Sequence, residues 1–152
     1  MTAEELLERY AAGERDFRGV DLNWVKLKNI YLRYADFTGA NFYNADLRRA
    51  DFYNSNLSEA NLTGADVSYA YLCETSLQKA NLTEADLSDA YLMKANLSGA
   101  NLKEANFVKA DLTEADLSGA DLTGAELTMA NLTETNFTGA ILTKCIGLPI
   151  MG

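Results

Sequence analysis

The chain has 152 residues, no His, two Cys and a formal charge of −9 at neutral pH. The missing His removes the usual general base, most nucleophile-activating dyads and the commonest transition-metal ligand. No run of apolar residues is long enough to span a membrane and no secretory pattern opens the chain, so one cytoplasmic domain over 1–152 is expected.

The first predicted element is a helix over 2–12. Thr2-Ala3-Glu4-Glu5 has the spacing of a capping box, Leu6, Leu7, Tyr10 and Ala11 come next at helical intervals, and Gly13 supplies a stop. Glu4, Glu5 and Glu8 oppose an anionic lipid surface, so the apolar stripe reads as a cap on the adjoining segment of the chain.

From Phe17 to Leu142 every fifth residue is Leu, Phe or Val, 26 positions in one register. Two residues before each stands a small residue, usually Ala. A gap of two puts both side chains on one face of an extended segment, and the next gap of three forces a turn. An α-helix does not fit, because a five-residue step leaves successive Leu residues about 140° apart. Four right-angle turns close a square coil of twenty residues, and coils stack at about 4.8 Å. Val20, Val25 and Ile30 replace Ala only in the first coil, where larger side chains fill the end beneath the helix. Internal repetition of this kind fixes a solenoid.

The run ANLTEADLSDAYLMKANLSGANLKEANF carries the A(D/N)LXX signature, and over residues 15–144 the chain resembles the pentapeptide-repeat proteins. The resemblance implies an all-β fold, a right-handed quadrilateral parallel β-helix of four repeats per coil. Leu or Phe is the central inward residue, Ala the small one, and 26 repeats make about six and a half coils.

Stacking by twenties aligns surface columns. One outward column reads Lys26, Asp46, Asp66, Asp86, Asn106, Glu126. Its carboxylates, about 5 Å apart, repel by about 1–3 kcal/mol. Residues 1–50 balance eight basic against eight acidic residues, and 51–152 hold five basic and fourteen acidic. Much of this acid occupies the slot before the central Leu, where Asp or Asn bonds turn backbone. A second column holds Tyr31, Tyr71 and Tyr91, interrupted by Asp51. Tyr34 and Tyr53 share that face, Tyr69 stands at its corner, and Arg33, Arg49, Cys73 and Met93 are neighbours. Tyr, Arg and Met are the residues interfaces enrich.

Trp24 with Lys26, Lys28, Arg33, Arg48 and Arg49 is a basic-aromatic cluster too dilute for nucleic acid, and direct nucleic-acid binding is not expected. Thr63, Thr83, Thr123 and Thr143 align, but Lys103 breaks the ladder. Cys73 faces out and Cys145 faces in, roughly 17 Å apart along the axis, so no bridge joins them. The apolar tail 145–152 is either a plug over the last coil or a seam for a second copy, making a homodimer.

No P-loop, dinucleotide fingerprint or zinc spacing is present, so no enzyme, metal or cofactor is expected. The first expectation is a non-catalytic protein-interaction or scaffold module, partner unknown, using the tyrosine face. The resemblance supplies the alternative, since some pentapeptide-repeat proteins present an acidic rod to type II topoisomerases as DNA mimics. This chain has the rod and the sign of charge, but no loop projecting between coils.

Overall fold

The spacing of two and then three is resolved by a four-residue turn after every central Leu or Phe. In the computed structural model, which describes residues 1–149, the N–H of the small residue donates to the carbonyl three residues back, as from Ala40 to Phe37 at 2.9 Å. The third turn residue, at numbers ending in 4 or 9, has φ between +51° and +72° throughout 19–144, while the second does not turn positive. This is the type II turn. The left-handed conformation costs an L-residue about 1–2 kcal/mol. The slot accordingly takes Gly or a side chain unbranched at Cβ and never Val, Ile or Thr.

Between turns the backbone is extended and bridges in parallel to the residue twenty further on, from Asp16↔Asp36 to Glu126↔Ile146. Each five-residue unit bonds to its neighbours three ways. Phe37 N–H donates to Asn56 O at 2.7 Å, Gly39 N–H to Ser58 O at 2.9 Å, and Asn56 N–H to Ala35 O at 2.9 Å. The last joins a ladder residue to the small residue of the coil before it. Apart from the N-terminal helix the architecture is therefore a four-sided parallel β coil. Asp and Asn in the ladder slot accept from the backbone N–H two residues on, as Asp36 Oδ1 does from Thr38 at 3.0 Å.

The central side chains from Phe17 to Leu127 are buried, with Ala between them. Phe37 packs against Phe17, Phe42 and Phe52 at ring-centroid distances of 5.2, 5.4 and 5.8 Å. Each such side chain contributes about 1.5–3 kcal/mol of burial. Where the small slot holds a polar residue, its side chain donates to the preceding coil. Ser55 Oγ reaches Leu32 O at 2.8 Å, Thr75 Oγ1 reaches Phe52 O at 2.8 Å, and Thr135 Oγ1 reaches Leu112 O at 2.7 Å. Ser55 Oγ also accepts from Ala35 N–H at 3.2 Å. It thereby replaces the Ala35-to-Leu32 bond that the turn would otherwise make.

Helix α1 spans Ala3–Ala11, with Thr2 Oγ1 accepting from Glu5 N–H at 3.1 Å. Its buried stripe differs from the expected one. Ala3, Leu6 and Tyr10 face the first coil, while Leu7 is 40 % exposed and Ala11 is exposed. A nine-residue helix laid across a flat end offers one narrow face, and the Tyr10 hydroxyl sets its rotation by donating to Arg33 O at 2.9 Å. Val20, Val25 and Ile30 pack into the same core.

The other end is open among the described residues. Leu132, Phe137 and Leu142 are only half-buried around an apolar hollow of about 270 Å³, with Leu148 and Pro149 at its edge. Of the tail read as either plug or seam, Ile146 is taken up by the ladder while Cys145 and Leu148 pack against the core. Ile150, Met151 and Gly152 lie outside the described residues. Cys73 and Cys145 are both free thiols. Among the described residues no helix is long and apolar enough to cross a membrane.

Candidate interaction face

The twenty-residue register stacks Tyr31, Asp51, Tyr71, Tyr91 and Asp111 in one outward ladder. The expected tyrosine face resolves into two clusters and an outlier. In the first cluster Arg33 fills the gap that Asp51 leaves. Its Nε donates to Asp51 Oδ2 at 2.8 Å, and its guanidinium lies 5.0 Å from the Tyr31 ring and 5.3 Å from the Tyr53 ring. The Asp51 hydrogen bond raises the Arg33 pKa further. Tyr34 meets Tyr53 edge to face at 5.8 Å, and the Tyr53 hydroxyl donates to Glu74 Oε2 at 3.0 Å, which pushes the phenol pKa up.

In the second cluster Tyr71 and Tyr91 stack at 5.0 Å with 5° between their planes, and remain 46 % and 39 % exposed. Cys73 and Met93 lie half-buried beside them, and burial raises the Cys73 thiol pKa. Tyr69 stands apart at the corner with Arg49 4.8 Å from its ring. Glu74 and Asp111 also belong to the face, although neither was expected there. The same stacking by twenties that aligns the tyrosines places Asp111 next to Tyr91.

The basic-aromatic cluster does not assemble. Arg33 is bound to Asp51, Arg48 to Asp46 and Arg49 to Tyr69, which leaves Trp24, 65 % exposed, against Tyr43 at 6.1 Å. The hydroxyls of Thr63, Thr83 and Thr123 are likewise spent, donating to Asn61, Asn81 and Asp121 at 2.6, 2.7 and 2.6 Å.

The acidic column is in register from Lys26 through Asp46, Asp66, Asp86 and Asn106 to Glu126. Its expected self-repulsion is partly cancelled. Arg48 grips Asp46 with two 2.8 Å bonds and lies 3.8 Å from Asp66, and the Arg48 bond holds the Asp46 carboxyl below its ordinary pKa. Asp66 and Asp86 each give Oδ1 to the N–H and hydroxyl of Ser68 and Ser88. Glu126 stays exposed. A shallow hollow of about 430 Å³ opens between Arg15 and Arg18 on one side and Asn54 and Asn56 on the other, and Arg18 is tied to Asp16 at 2.9 Å. Among the described residues no three His, Cys, Asp or Glu side chains converge to hold a metal.

A four-sided parallel coil of five-residue units, with its aromatic and charged side chains displayed along flat faces, defines a repeat solenoid. The chain belongs to the pentapeptide-repeat family, whose sequence model matches eight copies over residues 16–54, 55–92, 90–128 and 110–146. Proteins of this family are in general non-catalytic and scaffold-like. Among solved structures it is similar to a pentapeptide repeat protein from the thylakoid lumen of Arabidopsis thaliana, at 25% identity, covering 72% of this chain and 70% of that one, with a TM-score of 0.52. It is also similar to HetL, involved in heterocyst differentiation regulation in the cyanobacterium Nostoc, at 28% identity over 96% of this chain and 94% of that one, TM-score 0.43. A third is QnrB1, a plasmid-mediated fluoroquinolone resistance protein, at 24% identity over 86% of this chain and 73% of that one, TM-score 0.42. No curated protein sequence matches the chain.

Proposed function

We propose that this chain is a non-catalytic interaction or scaffold protein that engages a protein partner through the tyrosine face running from Tyr31 to Tyr91. The observation that carries the reading is the stacked Tyr71–Tyr91 pair, which orders two large amphipathic rings yet leaves them accessible. Rings held rigid in this way lose little entropy on binding and suit an interface. The test is the triple variant Tyr31→Ser, Tyr53→Ser, Tyr71→Ser, used as bait in a cross-linked pull-down from the native organism. The partner set captured by the unaltered protein is expected to be lost; an unchanged set removes the reading. The same proposal takes the coil as right-handed, about six and a half turns in one cytoplasmic domain.

The alternative, a DNA-mimicking regulator of a type II topoisomerase, has weaker support. Asp46 and Asp66, where the mimic would begin, share Arg48, and Asp86 and Glu126 carry the remaining charge of that column. Binding to gyrase that falls steeply with salt would favour it over the tyrosine face. The apolar hollow at the C-terminal end supports a second contact, with another copy of the chain. Because α1 seals the opposite end, such a contact would be two-fold and closed rather than a filament. Sedimentation of the full chain against a Phe137→Glu variant tests this, a concentration-dependent dimer being expected only for the former.

A further inference from the structure

We infer that Tyr91 and Asp111 form a receptor for an arginine side chain, so that the partner of the tyrosine face presents a basic, arginine-bearing segment. The inference rests on that face being an interface and adds the chemistry of what it contacts.

The protein already holds one arginine on this face, which shows how the surface recognises it. Tyr31 and Asp51 are consecutive members of the outward ladder. Asp51 gives Oδ1 to the Tyr53 N–H at 3.0 Å and Oδ2 to Arg33 Nε at 2.8 Å, while the guanidinium lies over the Tyr31 ring. Tyr91 and Asp111 are again consecutive members of the same ladder. Asp111 gives Oδ1 to the Thr113 N–H at 3.0 Å and to its hydroxyl at 2.6 Å, and its Oδ2 has no hydrogen-bond partner among the described residues. The position matching Arg33 is Met93, which carries no charge. The constellation is repeated with the cation left out.

Two further features make this pair the receptive one. Tyr71 covers one face of Tyr91, so the face left open is the one toward Asp111, and ring and carboxylate address the same space. The nearest cation of the same repeat, Lys94, lies 3.9 Å from Glu114 and is drawn to that carboxylate. Residues 51–152 carry fourteen acidic against five basic side chains, a field that steers a basic segment toward this half of the coil. Arginine is favoured over lysine because a planar guanidinium stacks on a ring and hydrogen-bonds a carboxylate at once.

The probe is an N-acetylated, C-amidated Gly-Arg-Gly-Arg-Gly peptide, titrated into the full chain against its lysine counterpart and monitored by the NMR signals of the Tyr91 ring. The arginine peptide is expected to bind about fivefold more tightly than the lysine peptide. Asp111→Asn keeps the turn bond, since Asn fills the same slot at Asn41 and accepts there from Tyr43 N–H, yet it is expected to weaken the arginine peptide about fivefold. Met93→Arg supplies the missing cation from within and is expected to abolish peptide binding while the fold is retained. Equal binding of the two peptides overturns the inference, as does an Asp111→Asn variant with unchanged affinity. If the partner pull-down still depends on the tyrosines when either of these holds, the arginine receptor falls and the interface stands. If the triple Tyr→Ser variant loses no partner, the interface falls and takes this inference with it.

Discussion

Phe17 and Phe137 occupy the same column of the coil, one at each end. Phe17 is fully buried beneath α1, with Arg9 above its ring at 5.3 Å, whereas Phe137 is half-buried beside an open hollow. The repeat unit is the same in both places. What differs is the finish. At the first end Leu6 reaches down from the helix and Val20, Val25 and Ile30 widen the small slot to meet it. At the last end that slot holds Ala130, Thr135, Ala140 and Cys145, and nothing among the described residues but Leu148 and Pro149 leans over them. Each coil of a solenoid is stabilised by its neighbours, so an end coil depends on whatever replaces the missing one.

The same substitution made at both ends puts this contrast to its strongest test. Phe17→Ala is expected to cost about 3–5 kcal/mol, as for a buried aromatic. Phe137→Ala is expected to cost less, about 1.5–3 kcal/mol, because the ring is only partly buried. Urea unfolding of the two variants measures the difference, and equal losses would mean that the open end is closed in solution.

A smaller effect separates backbone from burial. Gly119 and Gly139 both sit in the left-handed slot, at φ +67° and +71°, and an added Cβ meets no atom closer than 4.0 and 3.9 Å. The Cβ of a valine therefore has room at either place, and the left-handed conformation costs about 1–2 kcal/mol. Gly119→Val is expected to lower global stability by that amount. Gly139→Val is expected to show mainly as faster amide exchange in the last coil, since local opening there precedes global unfolding.

Smaller still is Gly147→Ala. The new methyl would lie 2.5 Å from Thr128 Cα, so the chain after Ile146 must move away. The Leu127 amide, which donates to Ile146 O at 2.7 Å, is expected to lose exchange protection while the midpoint of unfolding shifts little.

The smallest effect is one of pH and belongs to the sealed end. Hydrogen bonds from Arg18 lower the Asp16 carboxyl from 3.8 to about 2, and the Arg9 bond lowers Glu14 as well. A depressed acid stabilises the fold above its unfolded value, and the contribution disappears as pH falls through the folded value. Amide protection in the first coil is therefore expected to be level from pH 7 to 5 and to decline below pH 3.8 toward 2. Arg18→Gln returns the folded value toward the unfolded one and should shrink the decline; an undiminished decline would detach Asp16 from the effect.

Much of this molecule is legible as sequence because its period is a geometric quantity. Five-residue spacing gives the turns, twenty gives the register, and register alone aligns Tyr31, Asp51, Tyr71 and Tyr91 as well as the acidic column. The role of Asp and Asn in bonding the turn is readable for the same reason. The left-handed slot leaves its signal in the sequence as well, since every glycine from Gly19 to Gly139 falls there. The rotation of α1 is not readable, because Leu6 and Leu7 are equally apolar and the choice is made by the Tyr10 bond to Arg33 O. Nor does sequence tell that Arg48 turns to Asp46 and Arg33 to Asp51, since a long side chain selects among several carboxylates by rotamer.

The turns also carry a direction. From Gly19 to Gly124 the left-handed residue points its N–H at the carbonyl of the coil that comes after it, as Gly39 does toward Ser58, and the central residue does the same. Each repeat thus offers the following coil two N–H donors and one carbonyl acceptor, the last from the small residue, as Ala35 O does to Asn56 N–H. The helix closes one rim of the coil, and among the described residues the other rim keeps its forward-pointing groups unpaired.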